Sequence, residues 1–310
     1  MSRTLHSQLD DPRGRLRSGR LYRFCRVATA ARQRARFREL LARCNALPKD
    51  VDLVGWLRSE LAHLIPLRKT LSSRLSDATI VGMGARGWER CGLCPSLQRS
   101  CDFHLFTDGL GDDVPLACRT ADEQERRGRR SLEFVANVER TKPVHIIFLY
   151  VLTSNLAPRL LQQVHERGCW TVVVGLDDKH TFLRERIGEL EVGVETVAHA
   201  ADLYWTSWRT GCLIHHAIGS RGWLGGIGAD PQFHRPVPVE KDIDVSVLGQ
   251  VYGGRRELIS KIRAYGIRIE CRGHGWGGGH TSFEDLVRLY SRARVVLGYR
   301  MSVPWRMSPS

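Results

Sequence analysis

The residues best placed to do chemistry lie where an apolar run hands over to a helical pattern, in "DVSVLGQVYGGRRELI" (244–259). Gly249, Gly253 and Gly254 permit a tight turn there, and Arg255 and Arg256 fall in the first turn of the helix that follows. A helix N-terminus carries partial positive charge and disfavours cations. Paired arginines against that preference make sense if a phosphate sits between them and the helix end. Two solvated surface arginines are the plainer reading. A second glycine-rich turn, "CRGHGWGGGH" (271–280), follows the next apolar run. On the same rim it would bring Gly273 and Gly275 close to a ligand, with His274 donating to a phosphate and Trp276 stacking on a base or sugar. Its two histidines lack Cys or carboxylate partners at ligand spacing, so no metal is expected.

A third cluster, "VVVGLDDKHTF" (172–182), ends another apolar run with Asp177, Asp178 and His180. Acid–base or hydroxyl-binding groups occupy such positions beyond strand ends; a helix cap with a surface charge is the alternative. "GMGARG" (82–87) fits the dinucleotide fingerprint, with Asp108 about 20 residues on. However, Cys91-Gly92-Leu93-Cys94-Pro95 interrupts the helix which that fingerprint demands, so a nicotinamide oxidoreductase is the weaker reading. "CGLC" with Cys101 and His104 has no second CxxC, which points to incidental thiols rather than zinc.

The elements that must position these groups alternate. Strands are predicted at 78–84, 102–106, 144–151, 171–176 and 202–207, with helices near 131–140, 156–167, 195–201 and 210–218. After a proline-rich joint, "GADPQFHRPVPVEKD" (228–242), strands at 243–248, 267–271 and 293–298 alternate with helices at 254–265 and 282–291. Apolar strands separated by helices predict parallel sheets covered on both faces. The fold class is therefore α/β, with two tandem Rossmann-like units at 46–227 and 243–310.

Composition bounds the rest. Of 310 residues, 42% are hydrophobic and 26% charged, as in a globular protein. Nine irregularly spaced cysteines do not suggest a disulfide framework, and with no signal peptide visible a cytoplasmic location is expected. Residues 1–45 hold twelve arginines and three acids, so +9 of the net +14 belongs to this head. The body is only moderately basic and is not a nucleic-acid footprint. Residues 1–22 read as disordered. From Ala28 to Cys44 a helix is predicted, with Phe37, Leu40, Leu41 and Cys44 on one face and Arg32, Arg36 and Arg43 outside it. Such a helix packs by its stripe, lies on an anionic membrane, or docks on RNA.

From about Val138 to Gly298 the chain resembles the spore-maturation-type (CgeB-like) glycosyltransferases, two Rossmann domains in the GT-B arrangement. The resemblance rests on "KPVHIIFLY" (142–150), "TVVVGLDDKHTF" (171–182), "ADLYWTSW" (201–208) and, most specifically, "GIGADPQFHRP" (226–236). "DIDVSVLGQVYGGRRELI" (242–259) and "RGHGWGGGHTSFEDLVRLYSRARVVLGY" (272–299) extend it. It implies a nucleotide-sugar donor held by the C-terminal unit without metal or further cofactor, and an acceptor held by the N-terminal one. It further implies that Gly249, Tyr252, Arg255 and Arg256 face the donor diphosphate, with Gly273 to Trp276 near the nucleoside and Asp177 and Asp178 toward the acceptor.

The chain departs from the family past "VVLG", where a segment like "RLFEAPACG" is replaced by "YRMSVPWRMSPS". A truncated C-terminal unit and a half-built donor site are expected from that departure. The rival reading from another class is a non-catalytic binding protein whose basic head engages RNA or anionic lipid.

Overall fold

A computed structural model describes residues 20–84, 93–107, 120–150, 158–175, 182–187, 189–226, 228–251, 254–279 and 281–298, with residues 20–30, 150, 158, 159 and 187 described by backbone alone. The chain divides into two compact units, the first reaching Ile227 and the second comprising chiefly Gly228–Arg306.

The first unit opens with α1 (Arg20–Asn45) and α2 (Leu53–Ala62). Then come β1 (Thr79–Gly84), α3 (Leu93–Ser100), whose residues up to Leu97 group with the second unit, β2 (Asp102–Phe106), α4 (Ala121–Glu139), β3 (Ile146–Tyr150), α5 (Pro158–Glu166) and β4 (Trp170–Gly175). A small antiparallel hairpin, β5 (Glu185–Ile187) and β6 (Leu190–Val192), precedes α6 (Glu195–Ala198), β7 (Leu203–Thr206), α7 (Arg209–Ala217) and β8 (Gly222–Leu224). Six strands form one parallel sheet in the order β2-β1-β3-β4-β7-β8. Strand order reverses between β1 and β3, the switch point beyond which ligands bind in open α/β sheets.

Alternate strand residues Val81, Met83, Ile147, Leu149, Val173 and Tyr204 build the main core with Val135 and Val138 of α4 and Leu160, Leu161 and Val164 of α5. Local chemistry sets the helix ends. Thr120 and Glu123 form a reciprocal capping box at α4, and Asp52 Oδ1 accepts from Gly55 N at 2.8 Å at α2.

The stripe expected on the head helix is buried: Phe37, Leu40 and Cys44 join the main core, and Leu41 packs beside it. Two of the three arginines expected outside are tied down. Arg36 Nη2 donates to both carboxylate oxygens of Glu195 at 2.9 Å, and Arg43 donates to the Ala217 carbonyl. The helix is thus part of the first unit's fold, and Leu40→Ala should cost about 2–3 kcal/mol in a urea titration. Residues 1–19 of the head lie outside the described residues.

The second unit has β9 (Ile243–Leu248), α8 (Arg255–Ala264), β10 (Ile269–Arg272), α9 (Phe283–Arg292) and β11 (Ala293–Val296). Its three-stranded parallel sheet runs β10-β9-β11, so strand order again reverses beside the first strand, β9. The proline-rich joint packs on this unit: Phe233 and His234 meet Phe283 edge-on at 6.3 and 5.1 Å, and Val237 N donates to Ser291 Oγ at 2.9 Å. The terminal "YRMSVPWRMSPS" is outside the described residues. Among the described residues, no helix is long and apolar enough to cross a membrane.

Candidate functional site

The two glycine-rich turns interlock at the carboxyl ends of β9 and β10. Gly249 N donates to Arg272 O at 3.0 Å, and Val251 N to His274 O at 2.9 Å. Gly273 has φ +118°, and a Cβ there would stand 2.5 Å from Gly249 O. Only glycine combines that conformation with so close an approach of two backbones. Inside the second turn, Gly273 N donates to Gly279 O at 2.8 Å, and Arg272 Nη1 to Gly278 O at 2.8 Å.

The adjacent arginines separate into different roles. Arg255 turns inward, only 9% exposed, and its Nη1 donates to Gln250 O at 2.7 Å. Gly249, at φ +129°, makes room for it: a Cβ there would lie 3.0 Å from the same Nη1. Arg256 stays exposed, donates from Nη2 to Gly275 O at 3.1 Å, and lies 5.8 Å from the centroid of the Trp276 ring. Trp276 is half-buried against the core of Val247, Ile259, Ile269 and Cys271, and its Nε1 donates to Gly249 O at 2.8 Å. The indole expected to stack on a ligand is therefore engaged in joining the two turns. His274 and Gly275 are exposed on the rim.

Gly254 caps α8 and supplies no side-chain oxygen, whereas the N-caps of α2, α4 and α9 are Asp52, Thr120 and Ser282, each of which accepts from its own helix. The start of α8 thus has no side-chain cap beside the exposed Arg256, an arrangement that favours an anion. Of the residues proposed for the donor, the structure brings Gly249, Gly254, Arg255, Arg256, Gly273, His274, Gly275 and Trp276 into one rim. Tyr252 lies outside the described residues.

Asp177, Asp178 and His180 also fall outside the described residues. The strand that leads to them ends at Gly175, where a Cβ would meet the Tyr204 hydroxyl at 2.1 Å. Tyr204 stacks on His215, with centroids 4.5 Å apart, and His215 Nδ1 lies 2.8 Å from Ser220 Oγ. Burial pushes the His215 pKa down to about 3, so the ring is neutral near pH 7. Sequence reasoning missed this pair because "CLIHHAI" (212–218) reads as an ordinary helix; Gly175 at the strand end was the available signal.

In "GMGARG", Gly82 and Gly84 lie within β1 rather than in a turn, and the Phe103 ring occupies the space of a Gly82 side chain, 2.3 Å from its ideal Cβ. Gly82 is a packing glycine, which removes one support from a dinucleotide site; the rest of the motif, from Ala85, is outside the described residues. Cys94 and Cys101 are buried, and His104 Nε2 lies 3.0 Å from Asp102 Oδ1. Among the described residues, no three His, Cys, Asp or Glu side chains converge to hold a metal.

Fold and rim together define an α/β protein with two parallel sheets, consistent with Rossmann-like folds. No protein-family model matches the chain, and no curated protein matches it.

Proposed function

We propose that the protein is a metal-independent glycosyltransferase of the GT-B class, akin to the spore-maturation-type (CgeB-like) enzymes, that moves a sugar from a nucleotide-sugar donor to an acceptor. The observation that carries this reading is the pair of interlocked glycine turns before the glycine-capped start of α8, with Arg256 exposed beside it. In the transfer, an acceptor oxygen bonds to the anomeric carbon while the bond to the donor diphosphate breaks. The negative charge left on the diphosphate is met by Arg256 and the α8 amides, fixed dipoles and charge that need no reorganisation. Arg255 acts one step back, holding the Gln250 carbonyl and with it the shape of the turn. Asp177, Asp178 and His180, which follow β4, are the candidates to take the acceptor proton.

The test is calorimetric titration of the intact protein with UDP and with GDP. One of them should bind, and Arg256→Ala should weaken it about tenfold or more, the scale of a charged hydrogen bond. No binding of either nucleotide, or equal binding by the variant, would refute the assignment.

The rival role for the basic head is less well supported, because α1 contributes Phe37, Leu40 and Cys44 to the main core. Deleting residues 1–45 would therefore unfold the first unit as well as remove charge.

A further inference from the structure

Strand β10 breaks the pattern of a buried parallel strand. Ile269 and Cys271 join Ile259 of α8 in the core, whereas Glu270 and Arg272, which alternate with them, are only half-buried. Parallel strands covered on both faces are apolar throughout, so a charged pair near the end of β10 calls for a reason. β10 is an edge strand, and edges carry charges that keep other strands away. A charge with that task alone stays in solvent. The Glu270 side chain is instead bent along its own strand and is 27% exposed.

Both hydrogen bonds of Glu270 run to Arg272, two residues nearer the carboxyl end: Oε1 accepts from Nη2 at 2.7 Å and from Nε at 3.0 Å. The carboxylate therefore leans toward the rim of glycine turns. Arg272 donates from Nη1 to Gly278 O at 2.8 Å, inside the second turn, and its carbonyl accepts from Gly249 N at 3.0 Å, in the first. One side chain thus links Glu270 to both turns. A carboxylate that only braced Arg272 would engage it with both oxygens, the fork-to-fork geometry that a guanidinium favours. Here a single oxygen takes both bonds. Among the described residues no hydrogen bond reaches Oε2, which is left to accept from a ligand.

The position of this acid in the chain has a chemical meaning. In units of strand, glycine turn, helix and strand that bind nucleotides, an acid about 20 residues beyond the first glycine accepts from a ribose hydroxyl. β9, the turn at Gly249, α8 and β10 form such a unit, and Glu270 holds that place. The turn departs from GxGxxG in spacing, so topology and the open oxygen carry the assignment.

We infer that Glu270 reads the ribose of the bound nucleotide, Oε2 accepting from its 2′-hydroxyl, so that the site selects ribonucleotides over deoxyribonucleotides. The inference rests on the nucleotide-binding reading of the same rim and adds the residue that chooses the sugar.

The experiment is calorimetric titration of the intact protein with UDP against 2′-deoxy-UDP, and with GDP against 2′-deoxy-GDP. For the nucleotide that binds, the ribose form should bind about tenfold more tightly, the scale of a hydrogen bond to a charged group. E270Q keeps an acceptor for Arg272 but loses the charge, and should bring the two forms within about threefold of each other. Loosening of the turns would weaken both forms alike and leave their ratio unchanged, so the ratio separates contact with ribose from a structural role. Equal binding of both forms by the wild type, or an undiminished ratio in E270Q, would overturn the inference and leave nucleotide binding standing. If neither UDP nor GDP binds, the nucleotide reading falls and the inference with it.

Discussion

Replacing Asp202 by Asn should cost about 3–5 kcal/mol of stability, the scale seen when one partner of a buried ion pair is removed. Asp202 is fully buried. Besides both contacts from Arg68, its carboxylate accepts from Thr171 N at 2.8 Å and lies 3.2 Å from His165 Nε2. Although burial alone would raise its pKa, the hydrogen bonds from His165 and Arg68 hold it well below the usual carboxylate range. The variant leaves Arg68 without its counter-charge, its side chain only 8% exposed. Urea titration of wild type and variant measures the difference, and a loss below about 1 kcal/mol would show that the network is dispensable.

The same titration across pH carries a sign. A depressed carboxylate stabilises fully above its unfolded pKa of 3.8, and that stability is lost as pH falls toward the folded value. His215 acts earlier. Its neutral form is the folded one, so stability falls by about 1.4 kcal/mol per pH unit from its unfolded 6.5 down toward about 3. Stability should therefore decline on acidification before any carboxylate titrates, and D202N should flatten only the lower part of the curve.

Gly273→Ala should have the second large effect. Placing alanine at φ +118° costs about 1–3 kcal/mol by conformation alone. The added Cβ also meets a backbone oxygen, Gly249 O at 2.5 Å, which no rotamer change can relieve. The two turns must separate, breaking the Trp276 to Gly249 bond and moving Arg256 with Gly275. Nucleoside diphosphate affinity should fall below detection while the first unit keeps its own unfolding transition. Calorimetry with circular dichroism separates the two effects, and unaltered affinity would detach the turns from ligand binding.

Long apolar runs were legible in the sequence. The strands expected at 144–151, 171–176 and 243–248 contain β3 (Ile146–Tyr150), the body of β4 (Trp170–Gly175) and β9 (Ile243–Leu248), because buried parallel strands need continuous apolar residues. The three-residue strands β5, β6 and β8 were not, since three residues show no periodicity and "ERI" (185–187) is mostly charged. Helix α2 was missed as well, as its apolar residues face outward in part. The rim of glycine turns could be read from the strand-to-helix pattern. The split between Arg255 and Arg256 could not, because it depends on the space left by Gly249. Nor could the Arg68–Asp202 pair, whose members are 134 residues apart.

The tethering of α1 has a consequence for the order of assembly. Its partners Glu195 and Ala217 lie 159 and 174 residues further along the chain, whereas Arg292 of the second unit finds Asp242 only 50 residues away. Contacts of long sequence separation close slowly because the intervening loop must first be restrained. Helix α1 therefore waits for α7 to emerge before its apolar stripe is covered. During that interval a cationic amphipathic helix stands uncovered, and chaperone demand should fall on the nascent chain between Asn45 and Ala217.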